Sequence, residues 1–221
     1  MGVQSTAVDG FVWQADNCTI VGMLLKAYFA SCGPCREVSQ MAIASPKAVL
    51  NFWIEAGTGK WWKKDPAFDA DIAHRFADTH EAACNGELDH WMDQPDSALA
   101  LILVLDQFSR NLFRNSPKAF AQDQKCSDIA RRQIESGANR SMPREIENFC
   151  YLPLMHCEDL ESQELCLKEM KRLGDELSIK SAVEHMEIID KFGRFPHRNA
   201  VLRRHTTVEE QAFLDGGGFS G

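Results

Sequence analysis

Leu99-Ala-Leu-Ile-Leu-Val-Leu105 runs without a break into Asp106-Gln-Phe-Ser-Arg-Asn-Leu-Phe-Arg114. The first segment is apolar nearly all round, so as a helix it has no face to turn toward water and belongs at the centre of a helical domain. The second is charged, yet Leu and Phe stand between its polar residues, and a charge is costly to bury unless it is paired. Asp106, Arg110 and Arg114 lie four apart, with Gln107 and Asn111 beside them, which on a helix makes one polar strip. Asp106 and Arg110 have the favourable order for an intrahelical ion pair, so one reading is a strip of salt bridges closing the end of a core helix. Two arginines share one aspartate, however. At least one guanidinium therefore needs a carboxylate from elsewhere in the chain or an anionic ligand.

Outward from this stretch the helical punctuation is regular. Ser45-Pro46, Asp65-Pro66, Pro95-Asp96, Ser116-Pro117 and Ser141-Met142-Pro143 each place a capping side chain or a proline where a helix can begin. Gly57, Asn85-Gly86, Gly137, Gly174 and Gly193 follow periodic stretches, where a left-handed residue ends a helix. Phe68, Ile72 and Phe76 recur at four-residue spacing, and Ala182, Met186, Ile189 and Phe192 at four, three and three, each the stripe of a helix packed on one side. No alternating strand pattern appears. The pattern predicts an all-α fold of about eight or nine helices in antiparallel pairs.

The chain has 221 residues, 44% of them hydrophobic, enough for a sizeable single core. Its net charge of -8 argues against nucleic acid or an anionic membrane surface as partner, so any anion site must be a local cationic pocket. Its 8 cysteines are scattered, which fits buried thiols in a reducing, cytoplasmic setting. No apolar run is long enough for a membrane span, and the Thr19 to Ala30 stretch is a poor signal peptide. Cys32-Gly-Pro-Cys35 has thioredoxin-type spacing, but the sequence after it is helical and lacks the βαβ pattern of that fold. The expected layout is an extension over 1–44 that is poorly ordered, a helical domain over 45–216 and a flexible tail over 217–221.

Two further clusters carry chemistry. In Leu152-Pro-Leu-Met-His-Cys-Glu-Asp159, Pro153 ends or kinks a helix, so His156, Glu158 and Asp159 sit at a helix end or corner. His156 and Glu158 point to different sides, and even with His185 as a fourth ligand the set is a poor metal site, so neither metal nor cofactor is expected. In Phe192-Gly-Arg-Phe-Pro-His-Arg-Asn199, a helix starting at Pro196 would hold His197 and Arg198 in its first turn, where the dipole favours acids. An anion bound by Arg194, His197, Arg198 and the free amides reconciles this. So does a carboxylate from Glu158, Asp159 or Asp106.

The run from about Pro46 to Phe213 resembles the DUF924 family of bacterial proteins. The resemblance rests on Val49-Leu-Asn-Phe-Trp53, Trp61-Trp62 with Phe68-Asp69, Leu105-Asp-Gln-Phe-Ser-Arg-Asn111, Tyr151-Leu-Pro-Leu-Met-His156 with Glu158-Asp159, and Phe192-Gly-Arg-Phe-Pro-His-Arg-Asn199. It implies a right-handed α-α superhelix of the tetratricopeptide-like type with a concave face, and no assigned activity. Two departures are Cys157, where a small hydroxyl residue is expected, and Arg203, where glycine is common. The candidate binding residues are then Trp53, Trp62, Asp106, Gln107, Arg110, Asn111, Arg114, His156, Glu158, Asp159, Arg194, His197, Arg198 and Asn199. Three roles fit them: a groove for an anionic small molecule or peptide end, a hydrolase or transferase using His156 and His197, or a structural polar network.

Overall fold

The computed structural model describes residues 42–219. The Cys32-Gly-Pro-Cys35 dithiol and the extension before residue 42 lie outside the described residues, as do the last two residues of the tail. Among the described residues the fold is all-α, with no strand. Helix α1 spans Pro46–Ala56, α2 Thr58–Trp61 and α3 Pro66–Cys84. Ser45 caps α1 by accepting from Ala48 N, and Asp65 caps α3 by accepting from Ala67 N and Phe68 N, each with proline in the first turn. These are the starts that serine or aspartate before proline predicts. Helix α4 (Pro95–Ile102) continues through a π-helical segment, Leu103–Phe108, into α5 (Ser109–Leu112).

That continuous rod is the centre of the described helical unit. Leu101 to Leu105 are all 0% exposed, and Phe108 closes the aromatic group Phe52, Trp53, Phe68 and Phe76 against it. Around it stand α6 (Asp123–Ser136), the short α7 (Arg144–Glu147) and α8 (Leu152–Met155), α9 (Leu160–Leu173) and α10 (Glu176–Phe192). Gly174 is left-handed at φ 78° and ends α9; Asp175 then caps α10 by accepting from Ser178 N, so α9 and α10 form a helical hairpin. Asp159 caps α9 in the same way, accepting from Ser162 N at 2.8 Å. Helix α11 (Val208–Asp215) starts with a capping box between Thr207 and Glu210.

The third polar cluster does not begin a long helix. Pro196–Arg198 is one 3₁₀ turn, and the chain then bends back so that Arg204 N donates to Asn199 O at 2.8 Å. Arg203 makes that bend with φ 54°, the left-handed region that glycine enters freely, which gives a physical reason for glycine at this position. Here Cβ costs roughly 1 kcal/mol, partly offset because glycine loosens the unfolded chain. Arg203→Gly is therefore expected to raise stability by about 0.5 kcal/mol, read as a higher urea midpoint with unchanged slope.

Candidate functional site

Asp106 sits in the π-helical segment with a side chain that is 0% exposed. Three groups meet its carboxylate. His156 Nδ1 lies 2.8 Å from Oδ1, Arg110 Nη1 lies 2.9 Å from the same oxygen, and Gln107 Nε2 donates to Oδ2 at 2.6 Å. Burial pushes the carboxyl group up, but Arg110 and His156 outweigh it and hold Asp106 well below the usual carboxylate range. An ionised carboxylate only accepts, so His156 carries its proton on Nδ1. Burial and the adjacent Arg110 lower the imidazole pKa despite Asp106, so the ring is neutral and Nε2 is its unprotonated nitrogen.

The backbone that presents His156 is itself anchored. Helix α8 is a single turn ending at His156, and the Gln163 side chain donates to Met155 O at 2.8 Å and Cys157 O at 2.7 Å. Cys157 is buried with its thiol turned to Pro153 O, and burial raises its pKa, so it is no ready nucleophile.

Asp123, at the start of α6, joins two arginines from distant parts of the chain. Arg110 Nη2 donates to it at 3.0 and 3.2 Å, and Arg198 Nη1 at 3.2 Å. Arg198 Nη1 also donates to His156 O at 3.1 Å, tying the 3₁₀ turn to the end of α8. Phe120 lies beneath both guanidinium groups, at 5.7 Å from Arg110 and 4.6 Å from Arg198. Arg198 Nε is buried with no partner among the described residues. A third arginine, Arg114, makes a bidentate pair with Asp69 of α3 at 2.5 and 2.8 Å, and Asn111 donates to the same carboxylate at 2.7 Å.

Arg110, Arg114, Arg198 and His156 border one or both of two adjoining cavities. The larger, about 1060 Å³, is bordered by Gln107, Arg110, Asn111, Arg114 and His156, by Trp61, Trp62, Leu152 and Met155, and by Arg144, Glu145 and Asp175. The smaller, about 340 Å³, shares Arg110, Arg114 and His156 and adds His197 and Arg198. Lys64, His185 and Phe219 border both. The wall of the smaller cavity includes Lys64, Arg110, Arg114 and Arg198 and no acidic residue. Asp69, Asp106 and Asp123 hold the guanidinium groups without lining either cavity. His185 Nδ1 donates to Ser181 O at 2.7 Å, and burial lowers its pKa. His197 is lowered to about 4 by burial, with Arg198 and His185 adding to the shift.

Of the residues singled out in the sequence, Asp106, Gln107, Arg110, Asn111, Arg114, His156, His197 and Arg198 gather here, and Trp62 lines the larger cavity. Five do not reach it. Trp53 is 1% exposed and belongs to the core. Asp159 caps α9, and Glu158 pairs with Arg204 at 2.6 and 2.9 Å while accepting from Phe195 N. Arg194 turns away to Glu210 at 2.6 and 2.9 Å, and Asn199 donates to the same carboxylate. The anion receptor expected from Arg194, His197, Arg198 and helix amides is thus corrected. A single 3₁₀ turn offers no helix terminus, the Phe195 amide is taken by Glu158, and only the neutral His197 and the Arg198 guanidinium border the cavity.

Asp123, Asp69, Gln163 and Lys64 escaped the sequence reading. Asp69 stands beside Phe68 in a quoted motif, and Trp61-Trp62-Lys63-Lys64 sets aromatic and basic residues side by side, so both left a signal. Asp123 and Gln163 act only through chain segments far away in sequence and left none. Among the described residues no group of three or more His, Cys, Asp and Glu side chains is arranged to hold a metal ion, and no helix is long and apolar enough to cross a membrane.

The model of a family described as bacterial proteins of unknown function, DUF924, matches residues 49–218. The chain belongs to the DUF924 family. A solved structure of a protein of unknown function from Agrobacterium tumefaciens, ATU0120, is 41% identical, with a TM-score of 0.75 over 78% of this chain and 97% of that one. No curated protein matches the chain. The match to the DUF924 model spans the segments that carry Asp106, His156 and Arg198, so all the cavity-lining groups except Phe219 fall within the family region.

Asp106→Ala leaves Arg110 and His156 without their shared carboxylate in a buried place. It is expected to cost about 3–5 kcal/mol in chemical denaturation, with Asp106→Asn costing less because its amide still fills the site.

Proposed function

We propose that this DUF924 protein binds an anionic small molecule, or the carboxylate end of a peptide, in the cleft formed by the two cavities. One observation carries the reading. On a chain of net charge -8, the smaller cavity is bordered by four basic side chains and three histidines with no carboxylate among them. The carboxylates that neutralise Arg110, Arg114 and Arg198 stand behind them, so the guanidinium groups are held in place by acids that a ligand does not meet. Such prepositioned donors lose little freedom when an anion arrives. The concave, tetratricopeptide-like superhelix that the family resemblance implies suits a groove of this kind.

Lys64 tests this without disturbing the core, since it is exposed and has no acidic partner within 4.0 Å among the described residues. Inorganic phosphate, citrate and short-chain carboxylates in a thermal-shift panel are expected to raise the melting temperature of the wild type. Lys64→Ala should keep its basal melting temperature and lose about tenfold in anion affinity. A flat response of the wild type to every anion sinks the reading.

The Asp106–His156 pair supports a second reading, a hydrolase or transferase acting on that anion. With Nδ1 fixed on Asp106, Nε2 can take a proton from water or from a hydroxyl group next to the bound charge. His197 has no such carboxylate partner among the described residues. On phosphate and carboxylate esters, turnover above background is expected to fall on the order of 10²-fold in His156→Gln, with anion binding retained. No turnover by the wild type, or equal turnover by His156→Gln, removes catalysis and leaves binding standing.

A further inference from the structure

The larger cavity changes character along its wall. The part shared with the smaller cavity is cationic; the part that is not shared carries Trp61, Trp62, Leu152 and Met155 together with charges of both signs, Lys63, Arg144, Glu145 and Asp175. Leu152, Met155 and His156 stand at three- and four-residue spacing on one short helix, so a single face of α8 passes from apolar side chains to imidazole.

Trp62 is the unusual member of this wall. It is 55% exposed, whereas Trp53 and Trp91 are buried. Exposure here is not looseness. One indole face lies parallel to Phe149 at 5.5 Å and 6°, and an edge meets Trp61 at 6.2 Å and 84°. Trp61 is fastened in turn, stacked on Trp53 at 6.0 Å with its Nε1 donating to Trp53 O at 2.7 Å. The chain thus fixes a large flat ring from behind and leaves more than half of the residue exposed in the wall of the larger cavity. A fixed aromatic face attracts another planar ring, because stacking gains contact without freezing a mobile side chain.

We propose that the ligand of this cleft carries a planar aromatic ring next to its anionic group. The ring stacks on Trp62 while a phosphate or carboxylate is held by Lys64, Arg110 and Arg114. The inference rests on the anion-binding reading and narrows its ligand class to aryl or heteroaryl anions, nucleotides among them.

Matched pairs separate the ring from the charge. Phenyl phosphate against methyl phosphate, and benzoate against acetate, are titrated by calorimetry into the wild type, Trp62→Ala and Trp62→Leu. The leucine variant keeps Phe149 covered in case alanine disturbs the fold. For whichever head group binds, the aromatic member is expected to bind about five- to tenfold more tightly to the wild type. In both Trp62 variants that ratio falls to near one, while affinity for the alkyl member is unchanged. Equal affinity of the two members for the wild type, or a ratio that survives removal of the indole, overturns the aromatic inference and leaves the anion site intact. Failure of all four ligands to bind the wild type overturns both.

Discussion

A carboxylate with no exposure, set directly after a stretch of helix that is apolar nearly all round, must be compensated from within the protein or remain protonated. Asp106 is compensated, and the way it is compensated organises the cleft. Its charge draws Arg110 from the next turn and His156 from a separate helix, while Arg110 in turn engages Asp123, which engages Arg198. Acid and base alternate along this chain of contacts, so each charge is neutralised by neighbours and no member is stranded. The π-helical segment is part of the arrangement. It places Asp106 and Gln107 inward at a point where the helix widens by one residue, a distortion that tends to accompany functional positions.

The order of acids and bases matters more than their number. If Asp69, Asp106 and Asp123 lined the cavities, the cleft would be a self-neutralised surface with little pull on an anion. They stand behind the guanidinium groups instead, and the cations face outward. On the anion-binding proposal, stability and recognition are therefore served by opposite sides of the same side chains. Arg110 satisfies Asp106 and Asp123 on one side and borders both cavities on the other. Compensation also leaves the net local charge small, so the anion-binding proposal rests on directed hydrogen-bond donors more than on a strong field.

Much of this was legible in the chain because it is local. The buried stretch Leu99 to Leu105, the prolines at helix starts and the glycines at helix ends obey short-range rules, and the all-α fold follows from them. The Asp106–Arg110 ion pair is local as well. The continuation to Arg114 is not, because α5 ends at Leu112 and Arg114 meets Asp69 from another helix. The 3₁₀ turn at Pro196–Arg198 defeated the expectation of a helix start for a related reason. Proline permits several kinds of turn, and the hydrogen bond that decides this one, Phe195 N to Glu158, comes from a distant segment. Trp53 and Trp62 look alike in sequence, and only packing separates a core anchor from an uncovered wall.

The polar motifs therefore divide by where their charge is met. Asp106, Arg110, Arg114, His156 and Arg198 are met by one another and by Asp69 and Asp123 at the rim of the cleft. Glu158, Arg194 and Asn199 are met by Arg204 and Glu210, away from it. The second group is nonetheless tied to the first. Glu158 follows His156 by two residues and fixes both Arg204 and the Phe195 amide, so it clamps the two ends of the segment that carries His197 and Arg198. The left-handed Arg203 closes the bend between them. Removing that clamp frees the turn without removing any group that borders the cleft, so its effect on the cavity passes through the positions of His197, Arg198 and Val201. Residues that border neither cavity can thus be as necessary to the shape of the cleft as those that do, because a buried arginine contributes only where its backbone holds it.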